Sequence, residues 1–161
     1  MTGADLGRGR LFLDLDGVLA DFDRGVEAVT GRRPDQLSTR TMWRALSAEP
    51  DFFGTLEMMQ DALDLWHFCT PYQPTILTGL PFGHWAPEQK RRWVRRMFGE
   101  DVPAITCMSR DKHRFAVPGA VLVDDRPSAR EPWEKAGGIF VLHKSAAQSI
   151  ADLKRLGFTG G

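Results

Sequence analysis

Short apolar runs alternate with longer amphipathic segments along this chain, and the alternation predicts its fold. The apolar runs have the length of buried strands and cover residues 11–13, 75–77, 104–106, 120–123 and 138–142. Apolar residues recur at helical spacing over residues 22–29, 56–68, 87–98 and 146–156. Strands that alternate with helices predict an α/β fold with a doubly wound parallel sheet.

One segment fits neither periodicity well. Residues 32–54 mix Pro, Ser, Thr and aromatic residues, and we interpret this stretch as a small helical insertion. We therefore place a cap at residues 32–55 and the core at residues 1–31 and 56–161. The first ten residues, MTGADLGRGR, lack the apolar centre of a signal peptide and are interpreted as a short flexible leader.

Polar residues stand at the ends of three predicted strands. Asp14 and Asp16 follow the first strand, Thr78 follows the second, and Asp124 and Asp125 follow the fourth. In open α/β sheets, ligands bind beyond the carboxyl ends of the strands. The sequence therefore predicts that these residues share one site.

The segment Asp14-Leu15-Asp16-Gly17 is the strongest single signal in the sequence. Two carboxylates at a strand end can face one pocket, and Gly17 lets the chain turn away sharply. Such a pair suits phosphoryl transfer: one Asp attacks phosphorus, and the other protonates the leaving oxygen and then deprotonates water. A turn or a helix cap is the alternative, because Asp and Gly are common in both.

Further residues of the set suit a metal ion and a phosphate. Carboxylates such as Asp124 and Asp125, without Cys or His beside them, favour a hard cation, and Mg²⁺ is the natural one. The hydroxyl of Thr78 and the N–H of Gly79 can hold a phosphoryl oxygen, and Lys112 can offset negative charge. Each residue also has a purely structural interpretation: Asp124 and Asp125 can form a solvated turn, Thr78 can simply end a strand, and Lys112 can be an ordinary exposed lysine.

Taken in order, these residues resemble the four motifs of the haloacid dehalogenase-like (HAD) phosphatase superfamily. The narrower similarity is to the 5′(3′)-deoxyribonucleotidases. It lies in DLDGVLADF at 14–22, Phe52-Phe53 in DFFGTLE, PEQKRRWVRRMFG at 87–99, and SRDK at 109–112 followed by VLVDDRP. The resemblance implies a Rossmann-like core with a cap, and an aspartyl-phosphate intermediate.

The resemblance also implies roles for single residues. Asp14 would be the nucleophile, and Asp16 the acid/base, with its backbone carbonyl on the metal. Asp124 would bind Mg²⁺ directly, together with Asp14, and Asp125 would bind it through water or support the site. The implied phosphate-binding residues are Thr78, Gly79, Lys90, Arg110 and Lys112. Gly79 is a departure, since the nucleotidases usually have Ser at this position.

Aromatic residues of the predicted cap have two interpretations of equal weight. Phe22, Trp43, Phe52 and Phe53 lie in or beside the insertion and can stack on a nucleotide base. They can equally form the small core of the insertion. We expect the cap, which is short, to admit a small nucleotide and to exclude polymeric nucleic acid.

Charge and hydropathy limit the classes of binding partner that the sequence predicts. The 21 basic and 21 acidic residues cancel, which gives no support for nucleic-acid binding by bulk charge. No apolar run reaches membrane-spanning length, so we expect no membrane partner and a cytoplasmic location.

The predicted substrate is a small phosphomonoester, preferably a nucleoside monophosphate. A phosphatase for another small phosphomonoester and a non-catalytic nucleotide-binding module are the alternatives, and the oligomeric state, a homodimer included, stays open.

Overall fold

The computed structural model describes residues 10–160, so the predicted leader lies outside the described residues except for Arg10. Five strands form one parallel sheet in the order β3-β2-β1-β4-β5. The strands are β1 (Leu11–Leu13), β2 (Thr75–Gly79), β3 (Ala104–Cys107), β4 (Val121–Asp124) and β5 (Ile139–Leu142). Each lies where the sequence predicts a strand, and the predicted α/β fold with a parallel sheet is confirmed.

Within the part of the chain that the structure describes, six α-helices connect and cover the strands. They are α1 (Phe22–Thr30), α2 (Thr39–Ala48), α3 (Ala62–Cys69), α4 (Ala86–Phe98), α5 (Arg130–Lys135) and α6 (Ala146–Arg155). Gly31 ends α1 in the left-handed conformation, at φ 75°, as expected of a glycine stop signal. The short helix α5 is absent from the sequence prediction.

The helix predicted over residues 56–68 begins later than expected. The chain before α3 is extended, because its backbone bonds to the loop after β1. Asp21 N donates to Glu57 O at 2.8 Å, and Met59 N donates to Leu19 O at 2.8 Å. These bonds use the backbone groups that a helix would need, so tertiary pairing overrides the helical spacing there.

The two faces of the sheet bury different side chains. Leu11 and Leu13 belong to the larger apolar cluster, which includes residues of α1, α2, α3, α4 and α6. Phe12 points to the other face and belongs to a smaller cluster with Trp133 of α5. Because side chains alternate between the two faces along β1, its apolar residues pack against helices on both sides of the sheet.

The strand order reverses beside β1. The chain runs from β1 outward through β2 to β3, and then returns to place β4 on the other side of β1. Ligands of open α/β sheets bind at such a switch point, beyond the carboxyl ends of the strands. The acidic residues that follow β1 and end β4 lie at this point.

Helix α2 lies in the predicted cap, between α1 and β2 in the chain. Ser38 caps it by accepting a hydrogen bond from Thr41 N at 3.1 Å. Its apolar residues Met42 and Leu46 are buried in the same cluster as the strand residues. The division into a core and a separate cap therefore stays a prediction.

Across residues 10–160, none of the helices combines the length and the hydropathy that a membrane crossing needs.

Candidate active site

Three carboxylates meet at the switch point of the sheet. Asp14 follows β1, Asp124 ends β4, and Asp125 comes next in the chain. One oxygen from each lies within 4.8 Å of the others, which is close enough for a single metal ion to bind all three. Asp14 and Asp124 are buried, whereas Asp125 is exposed. The structure thus brings together the three residues that are predicted to bind the metal through their side chains.

Lys112 lies against this cluster. It belongs to the 3-10 segment Ser109–Phe115 and donates hydrogen bonds from Nζ to Asp14 Oδ1 at 3.0 Å and to Asp124 Oδ2 at 2.8 Å. Burial by itself lowers the pKa of Lys112, but the charges and hydrogen bonds of Asp14 and Asp124 outweigh it and raise this pKa. Lys112 is therefore a fixed positive charge behind the predicted nucleophile.

One lysine does not balance the three carboxylates. Desolvation and then the charge of Asp14 raise the pKa of Asp124 to about 6, against the opposing effect of Lys112. Desolvation, followed by the charge and hydrogen bonding of Asp14, raises the pKa of Asp125 to about 8. Crowded oxygen ligands with excess negative charge fit a hard divalent cation, which would relieve the repulsion.

Gly17 lets Asp125 approach the loop after β1. Its φ is 82°, a conformation that other residues rarely adopt, and a Cβ on it would lie 2.1 Å from Asp125 Oδ2. The role that the sequence assigns to Gly17 in a sharp turn agrees with this geometry. The same glycine also makes room for the exposed carboxylate of the cluster.

Asp16 has one bonded and one free carboxylate oxygen. Oδ2 accepts a hydrogen bond from Lys90 Nζ at 2.9 Å. Oδ1 is buried and finds no hydrogen-bond partner among the described residues. An unpartnered buried oxygen is costly, so a ligand group is the natural partner for it. Asp16 lines the cavity described below, where that partner can reach it.

Lys90, a predicted phosphate-binding residue, is buried beside Asp16. Lys90 is 1% exposed, and it also donates to Thr78 Oγ1 at 2.8 Å and to Gly79 O at 2.7 Å. With Asp16, these acceptors occupy all three ammonium protons. The buried ammonium also lies 4.4 Å from the centre of the Phe53 ring. Lys90 therefore lies behind Asp16 and Thr78 and orients both side chains, and its role in binding phosphate stays a prediction.

A cavity of about 1370 Å³ opens over the strand ends. Residues from both sides line it: Asp14, Asp16, Gly79, Lys112, Arg110 and Asp125 from the core, and Phe22, Arg40, Trp43 and Arg44 from α1 and α2. Arg110 is exposed, and its role in binding phosphate stays a prediction. Most of the predicted catalytic, metal and phosphate residues thus face one space, whereas Asp124, Lys90 and Thr78 are buried behind it.

Two of the four predicted substrate aromatics face the cavity. Phe22 and Trp43 line it, with ring centres 5.7 Å apart. Phe52 and Phe53 are 2% and 1% exposed, and they pack beneath Phe22 at 5.8 Å and 6.3 Å. The burial of Phe52 and Phe53 favours the alternative interpretation, in which these two rings belong to the small core of the insertion.

Sequence reasoning missed two aromatic residues and one hydroxyl at the cavity. Trp85 lines it beside Trp43, at 6.3 Å, and Phe82 lines it with 84% of its surface exposed. Ser109 Oγ lies where a Cβ on Gly79 would stand, 2.1 Å from that position. Its place in SRDK, beside the predicted phosphate residues, is the signal that could have identified Ser109.

Comparison with known proteins finds nucleotidases among the relatives. The mitochondrial 5′(3′)-deoxyribonucleotidase of Homo sapiens is 30% identical, and the alignment covers 78% of this chain and 68% of the relative. The cytosolic type of Homo sapiens is also 30% identical, with 75% and 72% covered. No family model matches the chain. Because the relatives include a mitochondrial and a cytosolic type, the cytoplasmic location of this chain stays a prediction.

The fold is shared with a solved structure. A hydrolase from Streptococcus pneumoniae superposes with a TM-score of 0.50 and 14% sequence identity, covering 91% of this chain and 96% of that one. At this identity the similarity concerns the fold alone.

Proposed function

Because the chain belongs to the 5′(3′)-deoxyribonucleotidase family of HAD hydrolases, we propose that it releases phosphate from nucleoside monophosphates. It is a phosphatase-type enzyme, and the finer assignment is the proposal. One observation supports it above the others: Asp14, Asp124 and Asp125 converge with Lys112 at the edge of a cavity that also presents aromatic rings.

The chemistry proposed for Asp14 is nucleophilic attack. A carboxylate oxygen of Asp14 attacks phosphorus, the ester bond breaks, and an aspartyl phosphate forms. Lys112, 3.0 Å from Asp14 Oδ1, holds the carboxylate in place and offsets the charge that the phosphate brings. The N–H of Gly79 and the exposed guanidinium of Arg110 line the same cavity and are proposed to bind phosphoryl oxygens.

The chemistry proposed for Asp16 is proton transfer. Its free oxygen, Oδ1, gives a proton to the leaving alcohol and then takes one from the water that hydrolyses the aspartyl phosphate. Lys90, bonded to Oδ2, fixes the orientation of this carboxylate. Thr78 is proposed to support the phosphate site, its hydroxyl held by the same lysine.

Asp14, Asp124 and Asp125 are proposed to hold Mg²⁺, together with the backbone carbonyl of Asp16. A cation held there would neutralise negative charge of the carboxylates and of the phosphate. Chelation with EDTA is expected to remove phosphate release, and added Mg²⁺ to restore it. Ca²⁺ should restore it poorly, because it prefers more ligands at longer distances. The measurement is phosphate release from a nucleoside monophosphate, and full activity in chelator would contradict the assignment.

Lys90→Met is expected to lower kcat about 10–100-fold and to change KM little, because Asp16 loses its orienting partner. If Lys90 bound phosphate, the substitution would instead raise KM. Breaking a buried ion pair costs about 3–5 kcal/mol, so thermal unfolding is measured on the same samples. Kinetics are taken only below the start of unfolding. A raised KM at unchanged kcat would contradict the positioning role.

Trp43→Ala is expected to raise KM for a nucleoside monophosphate about 10-fold or more, since base stacking contributes roughly 1–3 kcal/mol. KM for p-nitrophenyl phosphate, which has no base, should change far less. Phe22→Ala is expected to act in the same direction. Steady-state kinetics with both substrates measure the difference. Equal effects on both would contradict a nucleotide pocket and leave a phosphatase for another small phosphomonoester.

A further inference from the structure

The cap side of the cavity carries positive charge that the reaction described above does not use. Arg40 and Arg44 of α2 both line the cavity and are exposed to it. Neither guanidinium lies within 4.0 Å of a carboxylate among residues 10–160. Arg33, the third cap arginine that lines the cavity, differs, because Asp23 and Glu27 hold it at 3.5 Å and 3.4 Å.

The spacing of these two residues suits one anion. Residues four apart lie on the same face of a helix, with about 5–6 Å between their Cβ atoms. Two arginine side chains at that distance can hold one phosphate between them, since the guanidinium fork matches phosphate oxygens. Ser47, which also lines the cavity, adds a hydroxyl one turn further along α2.

The scissile phosphate does not need these arginines. Lys112, Arg110 and the proposed cation already offset its charge at the strand ends. Trp43, on the same helix as Arg40 and Arg44, lines the same cavity, and the ring of Trp85 lies 6.3 Å from the ring of Trp43. The cavity volume of about 1370 Å³ also exceeds the roughly 300–1000 Å³ of an ordinary small-molecule pocket. There is thus room for a substrate with an anionic group remote from the reacting one.

We propose that Arg40 and Arg44 form a second phosphate subsite, and that the preferred substrate is a nucleoside 3′,5′-bisphosphate. The proposal rests on the proposed nucleotidase function. One phosphate reacts at Asp14: the oxygen of water ends on phosphorus, the ester bond breaks, and the leaving alcohol takes the proton. The products are inorganic phosphate and a nucleoside monophosphate, whose remaining phosphate stays on the two arginines.

The test compares three substrates: a nucleoside 5′-monophosphate, the 3′,5′-bisphosphate of the same nucleoside, and fructose 1,6-bisphosphate. Contacts of Arg40 and Arg44 with the second phosphate should raise kcat/KM for the nucleoside bisphosphate above the value for the monophosphate. Because solvent screens exposed charge pairs, we expect the gain to be limited to about tenfold. The ratio should fall as salt is raised. In the double variant Arg40→Gln/Arg44→Gln, the ratio should fall to about 1.

Arg32→Gln is the matched control, because Arg32 is an exposed arginine of the same segment that does not line the cavity. It should keep the ratio of the unmodified protein. A ratio near 1 in the unmodified protein, or an equal loss for both nucleotides in the double variant, would overturn the subsite and leave the nucleotidase proposal standing. Turnover of the sugar bisphosphate without turnover of either nucleotide would refute the nucleotidase proposal, and with it the nucleoside part of this one.

Discussion

Asp14→Asn is expected to lower phosphate release by a factor on the order of 10⁴–10⁶, the range in which loss of a catalytic nucleophile falls. The amide keeps the shape of the side chain and can still accept a hydrogen bond from Lys112 Nζ, which lies 3.0 Å from Asp14 Oδ1. It lacks the charge and the basicity that attack on phosphorus requires. Turnover of a nucleoside monophosphate and of p-nitrophenyl phosphate should fall together.

The same variant should stay folded. Asp14 contributes to the repulsion that raises the pKa of Asp124 and Asp125, so its neutralisation removes an unfavourable charge. We therefore expect a melting temperature without metal at or above that of the unmodified protein. Asp64→Asn, an exposed change on α3, is the control and should keep full activity. Near-normal turnover in Asp14→Asn would exclude this carboxylate as the nucleophile.

Asp16→Asn is expected to lower kcat for a nucleoside monophosphate by roughly 10²–10⁴, the usual contribution of general acid–base catalysis. The free oxygen of Asp16 can no longer protonate the leaving alcohol. A leaving group of low pKa, such as p-nitrophenolate, needs little protonation. The first chemical step should therefore recover with p-nitrophenyl phosphate, whereas hydrolysis of the intermediate stays slow.

Pre-steady-state kinetics separate these two steps. With p-nitrophenyl phosphate, Asp16→Asn should release a burst of p-nitrophenol followed by slow turnover. Equal losses for both substrates, without a burst, would show that Asp16 acts in some way other than proton transfer. Lys90→Met should resemble a weaker form of Asp16→Asn, since Lys90 Nζ donates to Asp16 Oδ2 at 2.9 Å.

The sequence predicts the acidic part of the site because strand ends are local features. An apolar run that stops at Asp14 or at Asp124 marks both the strand and the edge where its polar residue lies. Parallel strands then bring these edges together without any further information. The close approach of Asp125 to Gly17 is a finding of the structure, because the sequence assigns Gly17 only to a sharp turn.

The sequence does not predict which side chains face the cavity, because packing between distant segments decides it. Phe52 and Phe53 are as aromatic as Phe22 and Trp43, yet they are covered by them. Lys90 lies on a helix rich in exposed arginines, and only the contact of α4 with the end of β2 reveals that it is buried. Trp85 belongs to a loop with no periodicity to interpret.

The most direct test of the account is to trap the aspartyl phosphate. Asp16→Asn, mixed with p-nitrophenyl phosphate and Mg²⁺, is quenched during the burst and treated with borohydride, which reduces an acyl phosphate to an alcohol. Peptide mass spectrometry then locates the reduced residue. The account predicts homoserine at position 14, and none when Asp14→Asn is added to the same variant. A burst of p-nitrophenol with an unmodified Asp14, or with the label on another residue, would contradict it.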